Sequence, residues 1–259
     1  LYATFLNRAF DQVLMDCALH KAGVTFVLDR AGVTGDDGAS HNGMWDLAML
    51  QIVPGLRIAA PRDEITLRSQ LRQAIDVTDA PTVVRFPKGA LGPSIPAIRS
   101  ASDMDVIYEG ESPSVLIVSV GAMAAMCLDV AARMNAQGIG VIVVDPGWVK
   151  PVPAGIAELS RDMQLVVTVE DGIRTGGVGS AVSQSLREQG IFVPVTSIGL
   201  PDAFLAQAKR AEVLQDSGIT AQEISRAITE AVAQAGNDAI PGGKNREPVT
   251  RTADPLRSR

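Results

Sequence analysis

Apolar positions change period several times along the chain, and the changes mark out its elements. Phe5, Leu6, Ala9, Phe10, Val13, Leu14 and Cys17 recur every three or four residues, which predicts an amphipathic helix over 3–20. VTFVLDR (24–30) is instead a short β-branched run, the pattern of a strand buried in a parallel sheet. LRIAAP (56–61) and PTVVRFP (81–87) repeat that pattern, and a helix is expected near 44–52. DEITLRSQLRQAID (63–76) has acidic residues in its first turn and Leu67, Leu71, Ala74 and Ile75 on one face, as a helix does. Strands alternating with helices predict a parallel sheet with helices on its faces.

Periodicity lapses over 89–112, rich in Gly, Pro and Ser, so a linker is expected there, with its core at 93–112. Alternation then resumes. Strands are expected at SVLIVSVG (114–121), IGVIVVD (139–145), LVVTVED (165–171) and FVPVTSIG (192–199). Helices are expected at 124–138, 154–161, 177–190 and 220–235. The predicted fold class is α/β, with two parallel-sheet, three-layer units at 1–92 and 113–236 and a disordered tail at 237–259.

Composition narrows the function. The chain has 259 residues, 46% of them hydrophobic, enough for a substantial core. A net charge of −6 argues against nucleic acid as a partner. No apolar run approaches the roughly 20 residues of a membrane span. Cys17 and Cys127 fall in apolar, helix-like segments and read as buried free thiols of a cytoplasmic protein. The opening LYATFLNRAF lacks an initiator Met and reads like the middle of something longer.

Candidate chemistry concentrates in DRAGVTGDDGASHNG (29–43), which has four glycines, three aspartates and one of only two histidines. In open parallel sheets, ligands bind beyond the carboxyl ends of the strands. Asp29 and Arg30 end the first strand, and Arg85 and Lys88 the third, so these cations could grip a phosphate or merely solvate strand ends. His41, in a polar glycine-rich segment, could exchange protons with a ligand or serve the loop alone. Asp36 and Asp37 are hydroxyl acceptors or solvated acids. His20, at a helix end, reads as structural. GGVGS (176–180) opens a helix and could hold an anion, but tight helix–strand packing explains it better. The histidines and cysteines show no metal-ligand spacing.

Read together, YATFLNRAFDQ (2–12), DRAGVTGDDGASHNG (29–43), APRDE (60–64) and RFPKG (85–89) resemble the 1-deoxy-D-xylulose-5-phosphate synthases. VDPGWVKPVP (144–153) and EDGIRTGGVGS (170–180) are similar to the C-terminal domain of the transketolase superfamily. The resemblance implies a pyrimidine-binding domain followed by that C-terminal domain. It also implies thiamine diphosphate and Mg2+ as cofactors, and condensation of pyruvate with glyceraldehyde 3-phosphate. By motif, Phe5 would stack on the aminopyrimidine ring, and Tyr2, Arg30 and Asp37 would line the acceptor pocket. Arg30 and Lys88 would hold the aldehyde's phosphate, and His41 would handle protons. Some relatives carry arginine at the position of Lys88. The GDG…N magnesium motif is absent, and the family's catalytic glutamate would precede Leu1, so the chain alone is expected to be inactive. A homodimer is implied as well. The alternatives are a β-type subunit of a 2-oxoacid dehydrogenase or split transketolase, or a non-enzymatic assembly module.

Overall fold

The computed structural model describes residues 1–90 and 92–238. The expected first helix is helical but not regular α. Ala3–Ala9 is 3-10 and Gln12–Ala18 is π-helical, with Ala3, Leu6 and Val13 buried. The first sheet contains β1 (Thr25–Leu28), β2 (Arg57–Ala59) and β3 (Thr82–Arg85), all parallel and ordered β1-β3-β2. Between β1 and β2 come α1 (Asp46–Met49) and a 3-10 turn at Leu50–Ile52. Helix α2 (Glu64–Ile75) links β2 to β3. Its N-cap Asp63 accepts from Thr66 N, and the Thr66 hydroxyl in turn accepts from Asp63 N, closing a capping box.

The expected linker 93–112 is corrected by the structure. It holds β4 (Arg99–Ala101) and β5 (Met104–Glu109), an antiparallel hairpin at the edge of the second sheet. Polar Arg99 and Ser100 on an exposed edge strand give little apolar alternation, so the pattern reads as a loop. The second sheet continues with β6 (Pro113–Ser119) and β7 (Gly140–Asp145), joined by α3 (Ala124–Ala136). After β7 the chain crosses over. β8 (Trp148–Lys150) leaves the second unit and pairs antiparallel with β2, as the fourth strand of the first sheet. Lys150 Nζ donates to the carbonyls of Leu50, Gln51 and Val53 at 2.5–2.9 Å, capping that turn.

Helix α4 (Ala154–Ser160), β9 (Leu165–Ile173), α5 (Val178–Glu188) and β10 (Val195–Leu200) complete the second sheet, ordered β10-β9-β6-β7-β5-β4. Strands β10, β9, β6 and β7 are mutually parallel and the β5–β4 hairpin at the far edge is antiparallel, so both sheets are parallel-dominated but mixed. Helix α6 (Arg210–Asp216) carries no strong sequence signal, and α7 (Ala221–Asp238) runs past Asn237, where a tail was expected to begin. The rest of that tail, 239–259, lies outside the described residues. Cys127 is buried and Cys17 only half-buried, both as free thiols.

Charged side chains join the two units through their interior. Arg85, at the end of β3, is 3% exposed; its Nε meets Asp46 Oδ2 at 2.7 Å and its Nη1 meets Asp171 Oδ1 of β9 at 2.9 Å. Asp171 Oδ2 then takes Arg210 Nη2 at 2.8 Å. The remaining Nη2 of Arg85 has no protein partner among the described residues but is buried with the rest of the side chain, so Arg85 does not open onto the surface beside Lys88, which corrects their grouping. Burial opposes ionisation of Asp46, Arg85 and Asp171, yet Arg85 and Arg210 together hold the Asp171 carboxyl below its ordinary value. A second junction lies at the end of β2, where Arg62 Nη1 meets Asp145 Oδ2 at 2.5 Å and Asp105 Oδ2 at 2.8 Å.

Replacing Arg85 by leucine leaves Asp46 and Asp171 buried without their shared counter-charge. Stability should fall by about 3–5 kcal/mol, read as a lower urea midpoint. A loss under about 1 kcal/mol would show that the array does not hold the units together.

Candidate functional site

Because β1 and β3 run parallel from Thr25↔Thr82 to Leu28↔Arg85, their carboxyl ends share one edge. Asp29 and Arg30 leave β1 at that edge, and Lys88 stands just beyond β3. Arg30 adopts φ 58°, a left-handed backbone that costs a non-glycine residue about 1 kcal/mol or more. Contacts on both sides of the residue hold it there. Ala31 N donates to Phe86 O at 3.0 Å, and the Arg30 guanidinium lies 4.3 Å from the Tyr2 ring centroid.

Two branches of contact meet at Arg30. On one, Arg30 Nη1 donates to Asp37 Oδ2 at 2.7 Å, and Lys88 Nζ donates to Asp37 Oδ1 at 2.8 Å. Lys88, and after it Arg30, holds the Asp37 carboxyl below its ordinary range. On the other, Tyr2 stacks on Phe5 with centroids 5.5 Å apart, and Phe5 meets the His41 ring edge-on at 5.9 Å. His41 Nδ1 lies 3.1 Å from Ser40 Oγ, and Thr4 Oγ1 donates to the Ser40 carbonyl at 2.9 Å. The structure thus brings Tyr2, Phe5, Arg30, Asp37, His41 and Lys88 into one connected cluster on an open face. His20 lies apart, exposed beyond the π-helical turn.

Residues 33–44 owe their shape to both units. Thr34 N and Oγ1 donate to Asn42 Oδ1 at 2.9 and 3.2 Å, closing the loop at its base. Val33 and Met44, at its two ends, are buried in the core of the second unit beside Ile117 and Val169. Sequence patterning offers no sign of that docking, since the partners lie far along the chain.

The anion question at GGVGS has an internal answer. Glu170, buried in β9, accepts from Val178 N and Gly179 N at 3.0 Å each, so the chain's own carboxylate sits on the first turn of α5. A Cβ on Gly177 would lie 2.5 Å from Glu170 Oε2, and one on Gly179 would lie 2.4 Å from Ser197 Oγ. The packing explanation of these glycines therefore holds. Burial pushes the Glu170 carboxyl up to about 7, against the pull of the two amides.

For a thiamine cofactor, the structure fits the pyrimidine end. Phe5 is 46% exposed and rigidly backed by Tyr2, so it presents an aromatic surface for a ring to cover. Among the described residues no three His, Cys, Asp or Glu side chains converge as a metal site.

Comparison with known proteins decides the family. The transketolase pyrimidine binding domain matches residues 1–93, and the transketolase C-terminal domain matches residues 105–224. A solved split-gene transketolase, described as an inactive beta4 tetramer, is 30% identical with a TM-score of 0.76; the match covers 90% of this chain and 74% of that one. The chain belongs to the transketolase family. Within it, the chain is 60% identical over 236 residues to 1-deoxy-D-xylulose-5-phosphate synthase 2 of Streptomyces avermitilis, and 61% identical to that of Streptomyces coelicolor. Both matches cover 90% of this chain but only 37% of the relative, so the chain spans a little over a third of their length. A Pichia stipitis transketolase, 17% identical with a TM-score of 0.75 over 92% of this chain and 34% of its own, shares the fold.

Glu170 gives this transketolase-family chain a pH signature. Between about 4.5 and 7 the folded chain holds a proton there that the unfolded chain has lost. Its stabilising contribution is full below that window and gone above it. Glu170→Gln removes this dependence. The stability of the unmodified chain relative to the variant should therefore decline from pH 5 to pH 8 in urea titrations. A constant difference would show that Glu170 ionises normally.

Proposed function

We propose that the chain carries the acceptor-receiving part of a synthase that condenses pyruvate with D-glyceraldehyde 3-phosphate. The products are 1-deoxy-D-xylulose 5-phosphate and carbon dioxide. The observation that carries this reading is the connected cluster at the shared carboxyl edge of β1 and β3. Arg30 offers a planar fork to a phosphate ester and Lys88 a point charge, with Asp37 setting the spacing between them. Asp37 is also the internal anion with which an arriving phosphate must share these cations. On the other branch, His41 carries an imidazole able to exchange a proton with a hydroxyl or carbonyl of the bound aldehyde. Phe5, braced by Tyr2, receives the aminopyrimidine ring. Thiamine diphosphate, when bound, supplies the electron sink. The names of the relatives at 60–61% identity support the same reaction.

The same proposal holds that this chain is inactive alone. Supporting it are the 37% share of the relatives' length, the lack of a metal-ligand group among the described residues, and the inactive assembly formed by the split-gene neighbour. The Mg2+ and diphosphate contacts then belong to another region. A homodimer is part of the reading, supported by exposed Leu1, Met15 and Leu19 around the first helical segment. Among the described residues no helix is long and apolar enough to cross a membrane.

Mixing the chain with the N-terminal region of a similar synthase, thiamine diphosphate, magnesium and both substrates should give product, while either part alone gives none. In that mixture Lys88→Met should raise KM for the aldehyde about 10- to 100-fold, the equivalent of one charge-assisted hydrogen bond, and leave KM for pyruvate unchanged. Turnover by the chain alone would defeat the half-site reading. Transfer of a two-carbon ketol unit in place of pyruvate condensation would favour the split-transketolase alternative, to which the split-gene neighbour gives weight.

A further inference from the structure

Residues 201–210, from the end of β10 through the first residue of α6, belong to the second unit, yet their contacts converge on the loop of the first. Gln207 Nε2 donates to the Asp36 carbonyl at 2.8 Å. Arg210 Nη1 donates to the Val33 carbonyl at 2.9 Å while its Nη2 holds Asp171 at 2.8 Å. Phe204 meets Trp45 edge-on at 5.8 Å. Gly35 sits against the same backbone: a Cβ there would fall 2.6 Å from Arg210 N, and its φ of +77° is a left-handed one. The segment is itself anchored, because Leu205 and Ala208 pack on the core of the second unit.

These contacts bracket the functional groups of the loop. Asp36, held by Gln207, is the immediate neighbour of Asp37, which spaces Arg30 from Lys88. Val33, held by Arg210, precedes Thr34, whose bonds to Asn42 fix the residue next to His41. Within the cluster, Asp37 is the only listener to both cations, so a shift of its backbone changes the distance between the two groups that would meet a phosphate. A displacement of about 1 Å at such a site is costly to binding and orientation.

We infer that Gln207 and Arg210 are positioning residues for acceptor recognition: the C-terminal unit sets the Arg30–Asp37–Lys88 spacing by gripping the loop at Asp36 and Val33. This inference rests on the acceptor role proposed above. It gives the second unit a part in selecting the phosphorylated aldehyde, although none of its side chains belongs to the six-residue cluster.

Gln207 is exposed, so Gln207→Ala tests the idea with little risk to folding, and Arg210→Lys keeps a cation beside Asp171 while losing the second grip. Hydrogen exchange on the chain alone should show faster exchange over 34–42 in both variants, with β6 and β9 unchanged. In the mixture with the N-terminal region, KM for D-glyceraldehyde 3-phosphate should rise about 3- to 10-fold for Gln207→Ala and more for Arg210→Lys. Preference for that aldehyde over unphosphorylated D-glyceraldehyde should fall by the same factor, and KM for pyruvate should stay within about twofold. A general structural defect would depress both acceptors alike and overturn the inference, as would unaltered exchange in the loop. If the unmodified mixture makes no product at all, the proposed function itself fails and this inference with it. Product from the unmodified mixture with unaltered acceptor preference in both variants defeats the inference alone.

Discussion

Three charges taken out of water, Asp46, Arg85 and Asp171, and the partly exposed Arg210 that joins them, sit where the carboxyl ends of β3 and β9 meet. Buried ions are costly unless each finds a counter-charge in good geometry, and here each partner comes from a different element. Asp46 comes from α1, Arg85 from β3, Asp171 from β9 and Arg210 from α6. Separating the units would break the Arg85–Asp171 pair, the one link of the array that crosses between them, and leave each remaining aspartate–arginine pair without its neighbour. The array therefore fixes how the two sheets meet with a specificity that apolar contact alone, which is non-directional, does not supply. The loop at 33–44 and the cluster it carries depend on that fixed relation, because Arg210 serves the array and the loop at once.

The division of labour between the two kinds of charge is plain in the geometry. Arg85 and Arg210 are committed to aspartates in the interior or at its margin. Arg30 and Lys88 are drawn together by one partly exposed aspartate and are themselves partly exposed. The contrast is sharpest between Arg85 and Lys88, three residues apart, of which one is buried in the frame and the other lies at the surface.

That contrast also shows what could be read from the chain. The apolar, β-branched runs at 25–28, 82–85, 115–119 and 165–169 announce parallel strands, and three of the four are buried; the first, at the edge of its sheet, leaves Val27 exposed. The cluster was legible as a set of residues: Tyr2, Phe5, Arg30, Asp37, His41 and Lys88 do converge. Arg85 was misjudged because a cation at a strand end looks the same whether it meets a ligand or a distant aspartate. The β4–β5 hairpin was hidden by its polar edge residues, and β8 by its brevity, three residues after a Pro-Gly turn. Gln207 and Arg210 give no local signal at all, since their partners stand more than 170 positions away.

The crossover of Trp148–Lys150 into the first sheet bears on how this molecule can be taken apart. A gene cut at the apparent seam near residue 100 would yield a first piece whose β2 has lost its antiparallel cover. Bare strand edges of that kind recruit other chains, and such a product should clump where the intact chain does not. Shuffling of modules among relatives faces the same obstacle: the units are contiguous along the polypeptide but interlaced in space, and they travel best as one cassette.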